Sequence, residues 1–288
     1  MDQHTIGAAG ISARVSADGA ELQSLRDGGG REFLWQAGPE WPRHAPVLFP
    51  IVGQLAGDTL RHDGRAYRLT QHGFARDRTF AWVERTPNSC RLALTDDVET
   101  LARYPFPFRF EVAYTAEADT LSVTFTIVNA GDEILPASMG AHPAFRWPLA
   151  DGVAKDAHIL EFSAPEPAPV RRLAGGLLRP DSFPSPIGGR ILRLDEKLFA
   201  DDALILDHPA SGSVRFTAPG APGLEVSWDG FAELGIWMKP GADFLCIEPW
   251  CGFASPVGFD GEFSEKPGVL LIPPGERRTA THRVRLSG

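Results

Sequence analysis

Three short segments each place a side chain that can transfer a proton among turn residues and aromatics. They are QHGFAR at residues 71–76, GAHPAF at residues 140–145 and CIEPW at residues 246–250. Histidine side chains, such as those of His72 and His142, titrate near neutrality, and the carboxylate of Glu248 can act as a base. The three residues are far apart in the sequence, so only the tertiary fold can bring them together for acid–base chemistry.

Each of these residues taken singly also has a structural interpretation. A single histidine is more often a buried, hydrogen-bonded residue than a catalytic one. Glu248 could be a solvated carboxylate at a strand end. Pro249 keeps it extended, however, and the preceding FLCI run indicates a buried neighbourhood.

The spacing of potential metal ligands and nucleophiles argues against two other kinds of site. The eight histidines form no His-x-x-x-His or His-x-His pair, and there is no Cys-x-x-Cys. A metal would therefore need a site assembled from distant residues, such as two histidines and one glutamate. No Gly-x-Ser-x-Gly elbow is present, and Ser138 lacks flanking glycines. We predict neither a metal nor a cofactor.

Apolar residues recur mostly with a period of two, which is typical of strands with one buried face. Residues 108–114 and 121–127 alternate in this way on either side of a polar stretch and predict a hairpin. Further short strands, each bounded by turn residues, are predicted at 31–35, 65–69, 91–94, 159–162, 204–206, 213–217, 224–228, 244–247, 269–272 and 282–286. Helix is predicted only at 98–103, so the pattern favours an all-β fold.

The 30 glycines and 25 prolines fit a chain with a turn after nearly every strand. The glycine run at 28–30 is predicted to be a hairpin tip, because it lacks the spacing of a phosphate-binding loop. Residues 164–190 are rich in proline, glycine and alanine and predict a long excursion over the surface. No sign of a domain boundary appears, so residues 1–288 are expected to form one domain.

Composition and charge narrow the function classes. The formal net charge is −9 and basic residues do not cluster, which argues against a nucleic-acid partner. No apolar run is long enough to span a membrane and the start does not resemble a signal peptide, so a cytoplasmic protein is expected. Cys90, Cys246 and Cys251 are too few for a disulfide framework and are interpreted as core residues.

The three segments, in this order and preceded by LFPIVG at residues 48–53, resemble the aldose 1-epimerase (galactose mutarotase-like) family. The likeness is closest to its shorter, divergent bacterial branch, and it runs from EFLW at 32–35 to PPGE at 273–276. The resemblance implies one β-supersandwich domain, without cofactor or metal, that interconverts the α and β anomers of a sugar. The expected partner is a small-molecule sugar, and the expected assembly is a monomer or homodimer.

The resemblance also implies roles for particular residues. Glu248 matches the family's base, His142 its acid, and His72 a second histidine that binds and polarises the sugar near the ring oxygen. Asp202 falls where the family has an aspartate that hydrogen-bonds sugar hydroxyls, with Asp201 as the alternative. The aromatic residues that could face the sugar, or equally belong to the core, are Phe145, Trp147, Trp237 and Trp250.

One position departs from the family pattern. Relatives carry an arginine after the glycine of LFPIVG, whereas this chain has Gln54. A neutral amide removes a strong charged contact to sugar oxygens, which Arg43, Arg61 or Arg76 could replace. We therefore expect Gln54 and Arg76 among the substrate-binding residues.

Three alternatives to a free-sugar epimerase stay open. A hexose-6-phosphate 1-epimerase would need basic residues converging on the phosphate, which the acidic composition disfavours unless folding assembles scattered arginines. A non-catalytic sugar-binding or sensor protein on the same fold is favoured by Gln54. A glycoside hydrolase or lyase would need a second carboxylate, for which only Asp201 or Asp202 is available.

Overall fold

A computed structural model describes residues 2–287, and nearly all of its regular structure is antiparallel strand. The first strands are β1 (Gln3–Ala8), β2 (Ile11–Ser16), β3 (Leu22–Asp27), β4 (Val47–Leu48), β5 (Thr59–His62), β6 (Arg65–Arg68), β7 (Ala81–Arg85) and β8 (Ser89–Thr95). The middle strands are β9 (Phe108–Glu117), β10 (Thr120–Asn129), β11 (Leu135–Ala137), β12 (Met139–Ala141), β13 (Ala144–Arg146), β14 (Ile159–Phe162), β15 (Val170–Ala174) and β16 (Leu177–Phe183). The last strands are β17 (Ile191–Arg193), β18 (Leu204–Asp207), β19 (Ser213–Thr217), β20 (Gly223–Asp229), β21 (Glu233–Trp237), β22 (Phe244–Cys251), β23 (Leu270–Ile272) and β24 (Arg277–Ser287).

Within residues 2–287, helical structure is limited to short turns. One α-helical turn, α1, spans Val98–Leu101, and 3-10 turns lie at Ala56–Asp58, Ala75–Asp77, Lys155–Ala157, Glu196–Phe199 and Phe263–Glu265. None of the helices in residues 2–287 has the length and apolar character that crossing a bilayer requires.

Two large sheets organise these strands. One has nine strands in the order β17-β14-β19-β20-β24-β10-β9-β8-β7. The other has eight, in the order β16-β15-β18-β21-β22-β12-β4, with β13 also paired to β22. Apolar residues alternate inward along β9 and β10, and the Phe110 ring of β9 stacks on Phe49, which follows β4, at 4.4 Å between centroids. The core therefore lies between the two sheets, and the predicted all-β supersandwich class is confirmed.

Most predicted strands agree with the structure, including the hairpin, which is β9–β10. The strand predicted at 31–35 is wrong: Glu32 and Leu34 form only isolated bridges. The Glu32 carboxylate accepts the backbone N–H groups of Leu25 and Leu34, so a side chain replaces part of the ladder there.

Further segments depart from prediction in their extent, among them the strand predicted at 282–286, which begins at Arg277 as β24. The helix predicted at 98–103 ends at Leu101, after a capping box between Asp97 and Thr100. The strand predicted at 244–247 continues to Cys251 as β22. The segment at 164–190 was predicted to be a long surface excursion. It instead contains the hairpin β15–β16, which lies at the edge of the eight-stranded sheet.

Candidate active site

Strand β22 is buried on both faces and carries different chemistry on each. Leu245 and Ile247 face the main core. By the period of two, Cys246, Glu248 and Trp250 face the opposite side of the sheet. This outer face forms the floor of the candidate site, and it explains why a glutamate occurs within an otherwise buried apolar strand.

The strand register places His142 directly opposite Glu248. Strand β12 pairs Gly140 with Trp250, and β13 pairs Ala144 with Cys246 in the same register. Between these pairs the ladder is interrupted at Pro143 and Pro249, because proline has no N–H to donate. His142 Nε2 lies 3.3 Å from Glu248 Oε2. Two side chains that are distant in sequence are thus cross-strand neighbours.

His72 reaches the same place from a strained turn. Its φ of 65° is in the left-handed region, and Gly73 after it has a φ of 70°. The His72 N–H donates to the Gly53 carbonyl, while its Nδ1 accepts the Gly53 N–H at 3.2 Å. Because Nδ1 is an acceptor, the neutral ring carries its proton on Nε2. The rings of His72 and His142 meet edge to face, with centroids 5.6 Å apart.

The three residues line one cavity of about 580 Å³, a size typical of small-molecule sites. Of the other predicted site residues, Asp202, Arg76, Trp237 and Trp250 line the same cavity. Glu248 is only 1% exposed, whereas His142 and His72 are 8% and 9% exposed. Only the edges of the imidazoles and of the carboxyl group therefore face the cavity.

Burial shifts the pKa values of the three groups towards their neutral forms. It raises the pKa of Glu248 well above its usual range, and the negative charge of Asp202 raises it further. The nearby Trp250 indole N–H acts in the opposite direction and lowers the pKa of Glu248. Its geometry is too poor for a hydrogen bond, because neither Trp250 Nε1 nor Glu248 Oε2 has a hydrogen-bond partner in residues 2–287. Burial lowers the pKa of His142 to about 3, and lowers that of His72, where the charges of His142 and Arg76 contribute.

The remaining predicted residues lie elsewhere. Gln54 directs its amide to Asp58, with Nε2 3.2 Å from Oδ1, so its contact with a sugar stays a prediction. Arg61 lines a different cavity, and Asp201 lies outside the site cavity. Phe145 and Trp147 are fully buried in the main core, which was the other interpretation that the sequence left open.

Several cavity residues were not predicted. Trp41 stacks on His142 at 5.2 Å between ring centroids, and Lys239 lies at the exposed rim. Leu173 and Gly176, from the β15–β16 hairpin, cover one side. Trp41 and the Gly-Ile-Trp run at residues 235–237, shortly before Lys239, lie within the part of the chain that resembles the family, so the resemblance could have indicated the first two. The proline-rich sequence around the hairpin gave no such signal.

One cluster in the site has the donor set of a metal centre. Ligand atoms of His142, Cys246 and Glu248 all lie within 4.8 Å of one another, and all three residues are buried. Two similar groups lie outside the cavity, formed by His62, Asp63 and Glu133 and by Asp207, His208 and Glu233.

Gly235 makes room for the site, and its substitution by alanine should be destabilising. It pairs with Glu248 across β21 and β22, and a Cβ on it would lie 2.3 Å from the Trp250 ring. Overpacking of this kind costs about 1–3 kcal/mol. Urea unfolding of Gly235→Ala should show this loss, whereas Gly212→Ala, which has open space at that point, should not. Equal stability of the two variants would contradict the proposed packing.

Comparison with known proteins finds relatives along nearly the whole chain. A family model described as aldose 1-epimerase matches residues 2–285. The plasmid-encoded protein LacX of Lactococcus lactis subsp. lactis is 33% identical over 281 residues, 92% of each chain.

Solved structures agree in fold along the whole length. A galactose mutarotase related enzyme from Lactobacillus acidophilus is 33% identical with a TM-score of 0.92, covering 100% of this chain and 98% of that one. A galactose mutarotase-like protein from Lactobacillus casei is 28% identical, also with a TM-score of 0.92, covering 99% and 100%.

Proposed function

Because the chain belongs to the aldose 1-epimerase family, we propose that it interconverts the α and β anomers of a free aldose. The observation that carries the proposal is the pairing of Glu248 with His142, 3.3 Å apart on the floor of a cavity that His72 also lines. Acid–base chemistry on a neutral sugar needs this combination of groups and no cofactor.

The two groups divide the reaction between them. Ring opening requires removal of the proton from the C1 hydroxyl and protonation of the ring oxygen as the C1–O5 bond breaks. Glu248 Oε2 has no hydrogen-bond partner in residues 2–287 and is the base, while His142 is the acid. After rotation about C1–C2 the pair works in reverse and closes the ring on the other face.

The shifted pKa values indicate where the proton of the Glu248–His142 pair is held before the reaction. Burial favours a proton on the carboxyl of Glu248 over one on His142, because it raises the pKa of Glu248 well above its usual range and lowers that of His142 to about 3. Transfer of that proton to His142 gives the carboxylate and imidazolium that react, without changing the net charge of the pair. His72, with its proton on Nε2, donates a hydrogen bond to the sugar near the ring oxygen.

The direct test is anomer exchange. Polarimetry or NMR on freshly dissolved α-anomers should show equilibration faster than in buffer for at least one hexose or pentose. Absence of acceleration across a broad panel of free sugars would overturn the proposal. Sugar binding by calorimetry without exchange would instead indicate a non-catalytic binding protein.

Asp202→Asn should move the alkaline limit of activity to lower pH. The charge of Asp202 raises the pKa of Glu248 and so keeps the single proton on the pair to higher pH. A neutral asparagine removes this effect, so the proton is lost at a lower pH. The pH profile of kcat/KM reports the change. Asp201→Asn, outside the cavity, should leave the profile unchanged, and an unshifted profile in Asp202→Asn would contradict this role.

A phosphorylated sugar is the second candidate substrate, because folding places cations at the cavity. Arg76 lines it with a buried Nε that lacks a hydrogen-bond partner in residues 2–287, and Lys239 lies at the rim. Arg43, which is paired with Asp77, is near enough for its charge to lower the pKa of His142. The scattered basic residues thus converge despite the net charge of −9.

Comparison of a free hexose with its 6-phosphate separates the two candidates. If the phosphate is the substrate, kcat/KM should be higher for the 6-phosphate. Lys239→Ala should then lower it about tenfold, the effect of one charge-assisted hydrogen bond. The rate of the same variant on the free hexose is the internal control. Equal loss on both sugars would exclude phosphate binding by Lys239.

A further inference from the structure

Cys246 is a buried thiol beside the acid–base pair that the proposed epimerase chemistry does not use. It lies two residues before Glu248 on the same face of β22 and is fully buried. Its position follows from the register, because β13 pairs Ala144 with it on one side and β21 pairs Trp237 with it on the other.

Its sulfur completes a metal-binding donor set. The thiol, the His142 imidazole and the Glu248 carboxylate have ligand atoms within 4.8 Å of one another. His142 Nε2 and Glu248 Oε2, at 3.3 Å, already have the separation of two ligands on one tetrahedral ion with bonds of about 2.0–2.2 Å. Three protein ligands leave one of the four tetrahedral positions for water or another ligand.

The surroundings favour an ion that prefers sulfur. Glu248 Oε2 and His142 Nδ1 are buried without hydrogen-bond partners in residues 2–287, so bound metal would satisfy a carboxylate oxygen that is otherwise unpaired. Trp41, Trp237 and Phe244 pack around the group and limit competition from water. Thiolate and imidazole together select Zn²⁺ or Cd²⁺ over Mg²⁺ or Ca²⁺.

We propose that His142, Cys246 and Glu248 form a binding site for a thiophilic divalent cation, Zn²⁺ or Cd²⁺, and that its occupation blocks the acid–base pair. The proton of the Cys246 thiol and the proton on the Glu248 carboxyl are both released to solvent when the metal binds. Inhibition rests on the proposed epimerase function, whereas binding of the metal does not.

The binding test uses a signature that only a thiolate gives. Titration with Co²⁺ should produce a sulfur-to-cobalt charge-transfer band, and calorimetry should show one tight Zn²⁺ per chain that EDTA removes. Cys246→Ala should abolish the band and weaken Zn²⁺ binding at least about a hundredfold, since even the loss of an outer-shell partner costs about 10–100-fold. Cys90→Ala, at another buried thiol, is the matched control and should bind like the parent.

The same titration distinguishes this site from the other two clusters and includes a second variant. The two clusters outside the cavity contain no sulfur, so weak binding there gives no charge-transfer band. Glu248→Gln should also weaken Zn²⁺ binding, which tests the site if Cys246→Ala does not fold. A parent protein without the band, or a band that persists in Cys246→Ala, would overturn the proposal.

Inhibition of anomer exchange by Zn²⁺ provides an independent test of the proposal. Zn²⁺ should inhibit anomer exchange by the parent and by Cys90→Ala. Cys246→Ala, compared with its own rate in the absence of metal, should resist inhibition by at least about a hundredfold in Zn²⁺ concentration. If the protein proves not to exchange anomers, the band and the calorimetry still decide on the metal site, so the two failures are distinguishable.

Discussion

Glu248→Gln should reduce the rate of anomer exchange by about 10³–10⁴-fold, because the amide cannot accept the proton of the C1 hydroxyl. The substitution is nearly isosteric and removes no hydrogen bond from Glu248 Oε2, which has no such partner in residues 2–287. The fold and the affinity for sugar should therefore be retained. Single-turnover polarimetry would measure the rate, and calorimetry would measure the affinity.

Glu233→Gln is the matched control for this result. Glu233 is also a buried carboxyl group, on the neighbouring strand β21, and burial raises its pKa to about 7. It accepts the Gly252 N–H and lies outside the cavity, and a glutamine oxygen can accept the same bond. Full exchange activity in Glu248→Gln, or an equal loss in Glu233→Gln, would remove Glu248 from the role of base.

Much of the fold could be predicted because its strands have one buried face. The alternation in β9 and β10 fixed their hairpin, and β14 and β19 were predicted at their observed bounds. Prediction was poorer where tertiary contacts override the local pattern. Residues 31–35 lose their ladder to the Glu32 carboxylate, and β22 continues through Pro249 because β21 pairs with it without interruption from Cys246 to Trp250.

The identities of the candidate catalytic residues came from motifs, but their arrangement did not. Nothing local in GAHPAF or CIEPW indicates that His142 and Glu248 share a register, since that depends on the pairing of β12 and β13 with β22. The docking of His72 on Gly53 and the convergence of Arg76 with Lys239 depend likewise on long-range contacts. Net charge carries no information about where cations meet, so it could not indicate that Arg76 and Lys239 line one cavity.

His142→Gln should lower the exchange rate by about 10²–10⁴-fold, through loss of the group that protonates the ring oxygen. His62→Gln is the control, because His62 lines a separate surface groove. Sugar affinity should change less than the rate, since His72 and Asp202 still line the cavity. An unchanged rate in His142→Gln would mean that the ring oxygen receives its proton from another group, with His72 the nearest imidazole.

The double variant Glu248→Gln/His142→Gln tests whether the two residues act as one unit. The two side chains lie 3.3 Å apart, and in the proposed mechanism they share a single proton, so loss of either partner already stops the same transfer. The double variant should therefore be no more than a few-fold slower than the slower single variant, as is found for catalytic groups that act together. If the two losses instead multiply, Glu248 and His142 serve separate steps, and a shared proton would not describe this site.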